Sequence, residues 1–270
     1  MHPGPRWLPT ERRLHELPHV KENFELQIQA MDRAGVDMAV CLLMDEDWFR
    51  TEAGNKLFEI YRTYDWDQRF VFCAMFDIFR IFETEKALDD VAAAAKLGVR
   101  GIKIHPDIQR VNKRDFPRLA ALAQKAEELN MFLIVHAYSN QHMEYDNIGL
   151  EIVSSIASLV KTPIIVAHAG GVDFSRAVFL AKHHENIMLD LSYILELEPL
   201  NFKIGGLLKW GIDQLGAGRF LFGSDHPSCD TLQYINRYME IFQEIRLTSE
   251  EISMIFGENA LKIINEAGEI

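Results

Sequence analysis

Four short apolar runs end in residues able to do acid–base or metal chemistry. Val99–Ile104 carries Lys103 and runs into His105. Residues 132–136 end in His136. Residues 163–168 end in His168, followed by Ala169-Gly170-Gly171. Residues 220–222 lead into Gly223-Ser224-Asp225. Side chains two apart on a strand share a face. That rule groups Gly101, Lys103 and His105, then Phe132, Ile134 and His136, then Ile164, Val166 and His168, and finally Leu221, Gly223 and Asp225. Were these the inward faces of one parallel barrel, the polar residues would converge above its core, with Gly101 and Gly223 leaving room inside. A lone strand-end histidine is more often a hydrogen-bonded core residue than a ligand. Two on separate strands, joined by an aspartate on a third, fit a divalent metal, since imidazole and carboxylate both bind zinc and an open position admits water.

The elements that must carry these residues alternate along the chain. Runs at 38–43, 70–76, 99–104, 132–136, 163–168, 187–191 and 220–222 have strand length and are rich in β-branched or aromatic residues. Helical patterns fall at 22–33, 83–97, 114–129, 149–159, 175–183, 232–241 and 248–257. Strand and helix in regular alternation predict βαβ units and a parallel sheet. No G-x-G-x-x-G follows the first strand, which argues against a dinucleotide-binding open sheet. A closed α/β barrel wants eight strands, and seven are visible. The expected fold is a single (β/α)8 TIM-like barrel domain over residues 1–270, with C-terminal helices and its first strand absent from the front of the chain.

Length and composition bound the function. The chain has 270 residues, 28 basic and 40 acidic, for a net charge of −12. So acidic a balance argues against a broad nucleic-acid footprint, which needs clustered Lys and Arg. Three scattered cysteines, Cys41, Cys73 and Cys229, with no C-x-x-C pair, suit free thiols and a cytoplasmic home. No apolar run reaches the roughly 18 residues of a membrane span. The expected partner is a small-molecule substrate, with no nucleic acid and no membrane. Tyr138, Asn140 and His142 follow His136 in a loop of the type that selects substrate. Asp190 and Ser192 share a strand-end face and either line the pocket or serve structure alone. Cys229, His183 and His184 read as ordinary loop or surface residues.

With these residues in view, the chain resembles the amidohydrolase superfamily, and within it the amidohydrolase-related group that includes aminocarboxymuconate semialdehyde decarboxylase. The matching stretches are Gly101-Ile-Lys-Ile-His-Pro106, Leu133-Ile-Val-His136, Val166-Ala-His-Ala-Gly-Gly171, Asn186-Ile-Met-Leu-Asp190 and Phe222-Gly-Ser-Asp-His-Pro227, with the tail from Leu247 to Ala260. The resemblance implies a distorted (β/α)8 barrel with one divalent metal ion, zinc in the first place. It makes His136 a metal ligand and Asp225 a ligand or the general base. It makes His168 a residue that polarises substrate or handles a proton, and puts Lys103 at the fourth-strand position. The family opens on a strand ending in His-x-His. Here Met1-His2-Pro3-Gly4 matches only the end of that motif, so His2 stands as its second histidine. A barrel short of one strand exposes two edges, which an earlier start of the chain, another segment or a second subunit in a homo-oligomer would cover.

Three functions are open at this point. The first is metal-dependent hydrolysis of an amide, ester or lactone of a small organic acid. Here His2, His136 and Asp225 hold the metal, Asp225 and His168 do the proton work and oxyanion stabilisation, and Lys103, His105 and Tyr138 bind substrate. The second is non-oxidative decarboxylation of an aromatic or unsaturated acid at the same site. The third is a metal-free binding protein on a barrel scaffold, supported by the missing first histidine.

Overall fold

The computed structural model describes residues 20–44, 52–63, 69–77, 84–138 and 147–267. Their strands are β1 (Ala39–Leu43), β2 (Phe70–Ala74), β3 (Val99–Ile104), β4 (Phe132–His136), β5 (Ile164–Ala167), β6 (Ile187–Asp190) and β7 (Phe220–Leu221). All seven are parallel and pair in chain order, β1 to β7. The sheet curls into an open half-barrel, matching the seven-strand expectation. Each crossover carries helix, because parallel neighbours cannot be joined by a hairpin.

The helices are α1 (Val20–Ala34), α2 (Glu52–Thr63), α3 (Thr84–Leu97), α4 (Pro106–Gln109), α5 (Phe116–Glu128), α6 (Ile148–Ile156), α7 (Phe174–His183), α8 (Ile204–Leu215), α9 (Thr231–Glu244), α10 (Ser249–Ser253) and α11 (Asn259–Glu266). Of these, α2, α4, α8 and α11 lie outside the helical stretches expected from sequence. The expected 248–257 helix is instead α10 followed by a π-helical turn, Met254–Glu258. Thr248 caps α10 through a full capping box with Glu251, as its Thr-x-x-Glu spacing dictates.

Two hydrophobic clusters hold the layers. Outside the sheet, Leu133, Val135, Ile164 and Val166 pack with helix residues such as Leu122, Ile152 and Phe174. Inside the curl, Leu42, Val71, Phe132, Ile134, Ile165, Ala167 and Leu221 meet Ile263 of α11. Near-continuous apolar strands follow from burial on both faces. The inward faces of β4 and β7 are those expected. On β5 the alternation runs the other way: Ile165 and Ala167 face in, and Ile164 and Val166 face the helices. Gly101 answers to the interior as expected, because a Cβ there would lie 2.3 Å from the Phe132 ring.

The three cysteines are free and buried. Loss of hydration raises the Cys41 and Cys73 thiols to about 12 and Cys229 to about 11. An acid raised on folding contributes stability that is complete below its unfolded pKa and is lost as pH rises through the folded value. Alkylation at pH 8.5 is therefore expected to modify none of the three in the folded protein and all three in 8 M urea (roughly; a fully denaturing condition). Prompt labelling of the folded protein would contradict this burial.

Candidate active site

The site lies where β3 to β7 end. A cavity of about 480 Å³ runs through the interior of the curl, from the start of β1 and the inner face of α11 past Phe132, and reaches Lys103, His168, Asp190, Ser192 and Asp225 at the strand ends. Lys103 reaches it from the inward face of β3 and is 2 % exposed. Burial lowers its pKa, and the charges of Cys73, Asp225 and Asp190 work against that shift. No hydrogen bond to its Nζ is made among the described residues, so a buried amine faces the cavity with charged neighbours.

His168 arrives by a route that strand alternation does not provide. It continues the outward-facing series of Ile164 and Val166, yet its backbone turns left-handed, with φ 61°. Ala169, Gly170 and Gly171 follow at φ 46°, 83° and 58°. Left-handed backbone at a non-glycine residue is uncommon and costs of order 1–3 kcal/mol. The turn swings the ring into the cavity. Asp225 is delivered in the same way, at φ 56°. Burial lowers the pKa of His168, which Asp225 opposes and Lys103 reinforces.

The ring contacts of His168 are specific. Its Nδ1 lies 3.0 Å from both the carbonyl oxygen and Oγ of Ser192. Ser192 Oγ donates to Asp190 Oδ2 at 2.5 Å, and Ser192 N donates to Asp190 Oδ1 at 3.0 Å. On the other side, His168 Nε2 lies 3.1 Å from His136 Nδ1. The His136 ring stacks on His105 at 3.9 Å, 14° from parallel. His105 is the N-cap of α4 and accepts weakly at Nδ1 from Ile108 N, 3.5 Å away. Asp107 completes a group with His105 and His136 whose possible ligand atoms all lie within 4.8 Å of one another. Burial raises the Asp107 pKa. Tyr138 meets His168 edge-on at 5.8 Å and Tyr193 at 5.4 Å, forming an aromatic wall.

Several hydrogen bonds hold these loops. Asn147 Nδ2 reaches Ala137 O, Gly170 O and Asp173 Oδ2 at 3.0, 3.2 and 3.3 Å, tying the loop after His136 to the turn after His168. Two close approaches admit only glycine. A Cβ on Gly149 would lie 2.1 Å from His136 O, and one on Gly223 would lie 2.3 Å from Asp190 Oδ1.

The structure thus brings Lys103, His168, Asp225, His136, His105 and Tyr138 to one rim. His2, Asn140 and His142 lie outside the described residues. Cys229 is turned to Tyr234, whose hydroxyl donates to Glu196. Asp107 and Tyr193 were not singled out from sequence. Asp107 had a signal in the His-Pro-Asp that follows β3, whereas Tyr193 had none. Asp190 and Ser192, left open between pocket lining and structure, do both.

Comparison with known proteins places the chain in a class. The model of the amidohydrolase family matches residues 17–265. The chain belongs to that family and is an enzyme of it, which sets aside the binding-protein reading. In three dimensions it is similar to an uncharacterized TIM-barrel protein from Bordetella bronchiseptica, at TM-score 0.70 and 17 % identity, covering 93 % of this chain and 86 % of that one. It is similar to a probable 2-pyrone-4,6-dicarboxylic acid hydrolase from Acinetobacter baumannii with citric acid bound (TM-score 0.63, 13 % identity, 97 % and 92 % covered). It is also similar to the 5-carboxyvanillate decarboxylase of Sphingomonas paucimobilis (TM-score 0.59, 15 % identity, 89 % and 82 % covered). A comparison with curated protein sequences found no match. No helix among the described residues is long and apolar enough to cross a membrane.

Two glycine substitutions test this packing. Gly223→Ala is expected to destabilise the protein by about 1–3 kcal/mol, because Asp190 and Ser192 must move. Gly206→Ala, on α8 with open space around its Cβ site, is expected to stabilise by up to about 1 kcal/mol. Urea titration reads both; equal effects at the two positions would contradict the close approach at Gly223.

Proposed function

We propose that the chain is a metal-dependent hydrolase acting on an amide, ester or lactone of a small organic acid. The observation that carries this is the convergence of a buried lysine, Lys103, a buried imidazole, His168, and an aspartate, Asp225, on one cavity of the amidohydrolase barrel, with His136 beside His168.

The residues present fit a divalent cation. Two imidazoles and a carboxylate, His105, His136 and Asp107, hold possible ligand atoms within 4.8 Å of one another, and that nitrogen–oxygen donor set suits zinc. Of that group His136 is the ligand we propose; Asp225 and His2, which are not in it, are the further ligands read from sequence. Ligation by His105 through Nδ1 competes with its cap on α4, so we read His105 first as a substrate contact. When bound, the ion would acidify a water and polarise a carbonyl.

The chain's own groups do the rest. Asp225 takes a proton from the attacking water and passes it to the leaving group. His168, on which the charge of Asp225 acts, shares the proton work at Nε2, the nitrogen that lies 3.1 Å from His136 Nδ1. Lys103, held without a hydrogen-bond partner among the described residues, binds the acid group of the substrate. Tyr138 and His105 close the rim on either side. Burial strengthens each of these interactions.

The same Lys103 favours a second reading, non-oxidative decarboxylation of an aromatic or unsaturated acid, since a decarboxylase must also seat a carboxylate. The hydrolase and decarboxylase among the structural neighbours bracket both chemistries. We take residues 1–270 as one barrel domain of a cytoplasmic enzyme with a small-molecule substrate. A homo-oligomer would cover the open sheet edges.

Asp225→Asn decides the role of the carboxylate. Its kcat/KM on a panel of esters, lactones and amides is expected to fall by about 100-fold or more with an unchanged melting temperature. Full activity in the variant contradicts the assignment. CO2 release from carboxylated aromatics, with no hydrolysis of the panel, selects the second reading.

A further inference from the structure

The hydrogen-bond polarity around His168 reaches further, and it rests on the metal reading proposed above. A carbonyl oxygen only accepts, and Ser192 O lies 3.0 Å from His168 Nδ1. Ser192 Oγ gives its proton to Asp190 Oδ2, so toward the ring it too is an acceptor, at 3.0 Å. Two acceptors on one side require the proton of a neutral His168 to sit on Nδ1. Its Nε2 then carries the lone pair and faces His136 Nδ1 at 3.1 Å. Two lone pairs would repel at that distance, so His136 bears its proton on Nδ1. The lone pair of His136 is therefore on Nε2, the atom with which an imidazole binds a metal when its other nitrogen is a donor.

We propose that Asp190 and Ser192 are positioning residues: by setting the tautomer of His168 they set that of His136, and so present His136 Nε2 to a divalent cation. The chain of contacts spans three strand ends, β6 to β5 to β4. It also explains Gly223, where a Cβ would lie 2.3 Å from Asp190 Oδ1 and 2.8 Å from Ser192 Cβ. Asp190 lines the cavity, and in this scheme it acts on the cation through two intermediates, His168 and His136.

Asp190→Asn reverses the polarity of the chain at its source. The backbone N–H of Ser192, 3.0 Å from Oδ1, needs an oxygen there. The amide NH2 must then face Ser192 Oγ and donate to it, which turns the hydroxyl proton toward His168 Nδ1. That arrangement favours the Nε2–H tautomer of His168, against the Ser192 carbonyl.

The test is 15N NMR of labelled imidazoles in the metal-free protein, joined to a zinc titration against a chelating dye. In the wild type, both His168 and His136 are expected to show a protonated Nδ1 and an unprotonated Nε2. In Asp190→Asn, His168 is expected to shift toward Nε2–H, and zinc affinity to fall by about 10- to 100-fold. Ser192→Ala removes the hydroxyl but keeps the carbonyl, so Nδ1–H is expected to persist. A wild-type His168 protonated on Nε2 overturns the proposal, even if Asp190→Asn does not fold. So does an Asp190→Asn protein with unchanged tautomers and zinc affinity, or Ser192→Ala with the proton moved to Nε2. Wild-type protein with the expected tautomers but no zinc binding upholds the positioning of His136 and overturns the metal reading beneath it.

Discussion

Seven strands run the same way and pair in chain order, and from that constraint the site follows. Parallel strands put every carboxyl end on one rim, so residues far apart in sequence become neighbours. Lys103 and Asp225 are separated by more than a hundred positions, yet the charge of Asp225 acts on Lys103. The interior below them is walled by apolar side chains, Phe132, Ile134, Ile165, Ala167 and Leu221, which line the lower part of the same cavity and lower the polarity around the charges above it.

The rim is assembled by backbone as much as by strand ends. His168 and Asp225 both stand at positive φ, a cost that the surrounding hydrogen bonds must overcome. Those bonds are visible. Asn147 clasps the turn after His168 to the loop after His136, and Ser192 holds the His168 ring from behind. Glycines at 149 and 223 give the adjoining carbonyl and carboxylate the space they occupy. Of the eight non-glycine residues at positive φ among those described, His168, Ala169, Tyr193 and Asp225 lie at this rim, and backbone strain supported by surrounding hydrogen bonds is common at functional sites.

Much of this was legible in the sequence. The seven strands announce themselves as short runs of β-branched and aromatic residues, because strands buried on both faces have no polar side to show. The strand-end residues Lys103, His136, His168 and Asp225 stood out for the same reason, as polar residues closing apolar runs. What escaped was set by tertiary structure. Strand alternation misassigned β5, since nothing local to His168 signals its left-handed turn except the small residues after it. Helix α8 was missed although its apolar face is as regular as that of α6, because Gly205 and Gly206 near its start read as turn residues. The Asp190–Ser192–His168–His136 chain crosses three strands, and only the register between them brings its members together.

The chemistry proposed for this rim depends on a divalent metal at His136. Crystals of the zinc-loaded protein, measured on both sides of the zinc absorption edge, test it directly. The account predicts one anomalous peak within coordination distance of His136 Nε2. Fully loaded crystals with no such peak, or with zinc only at a site remote from His136, would contradict it.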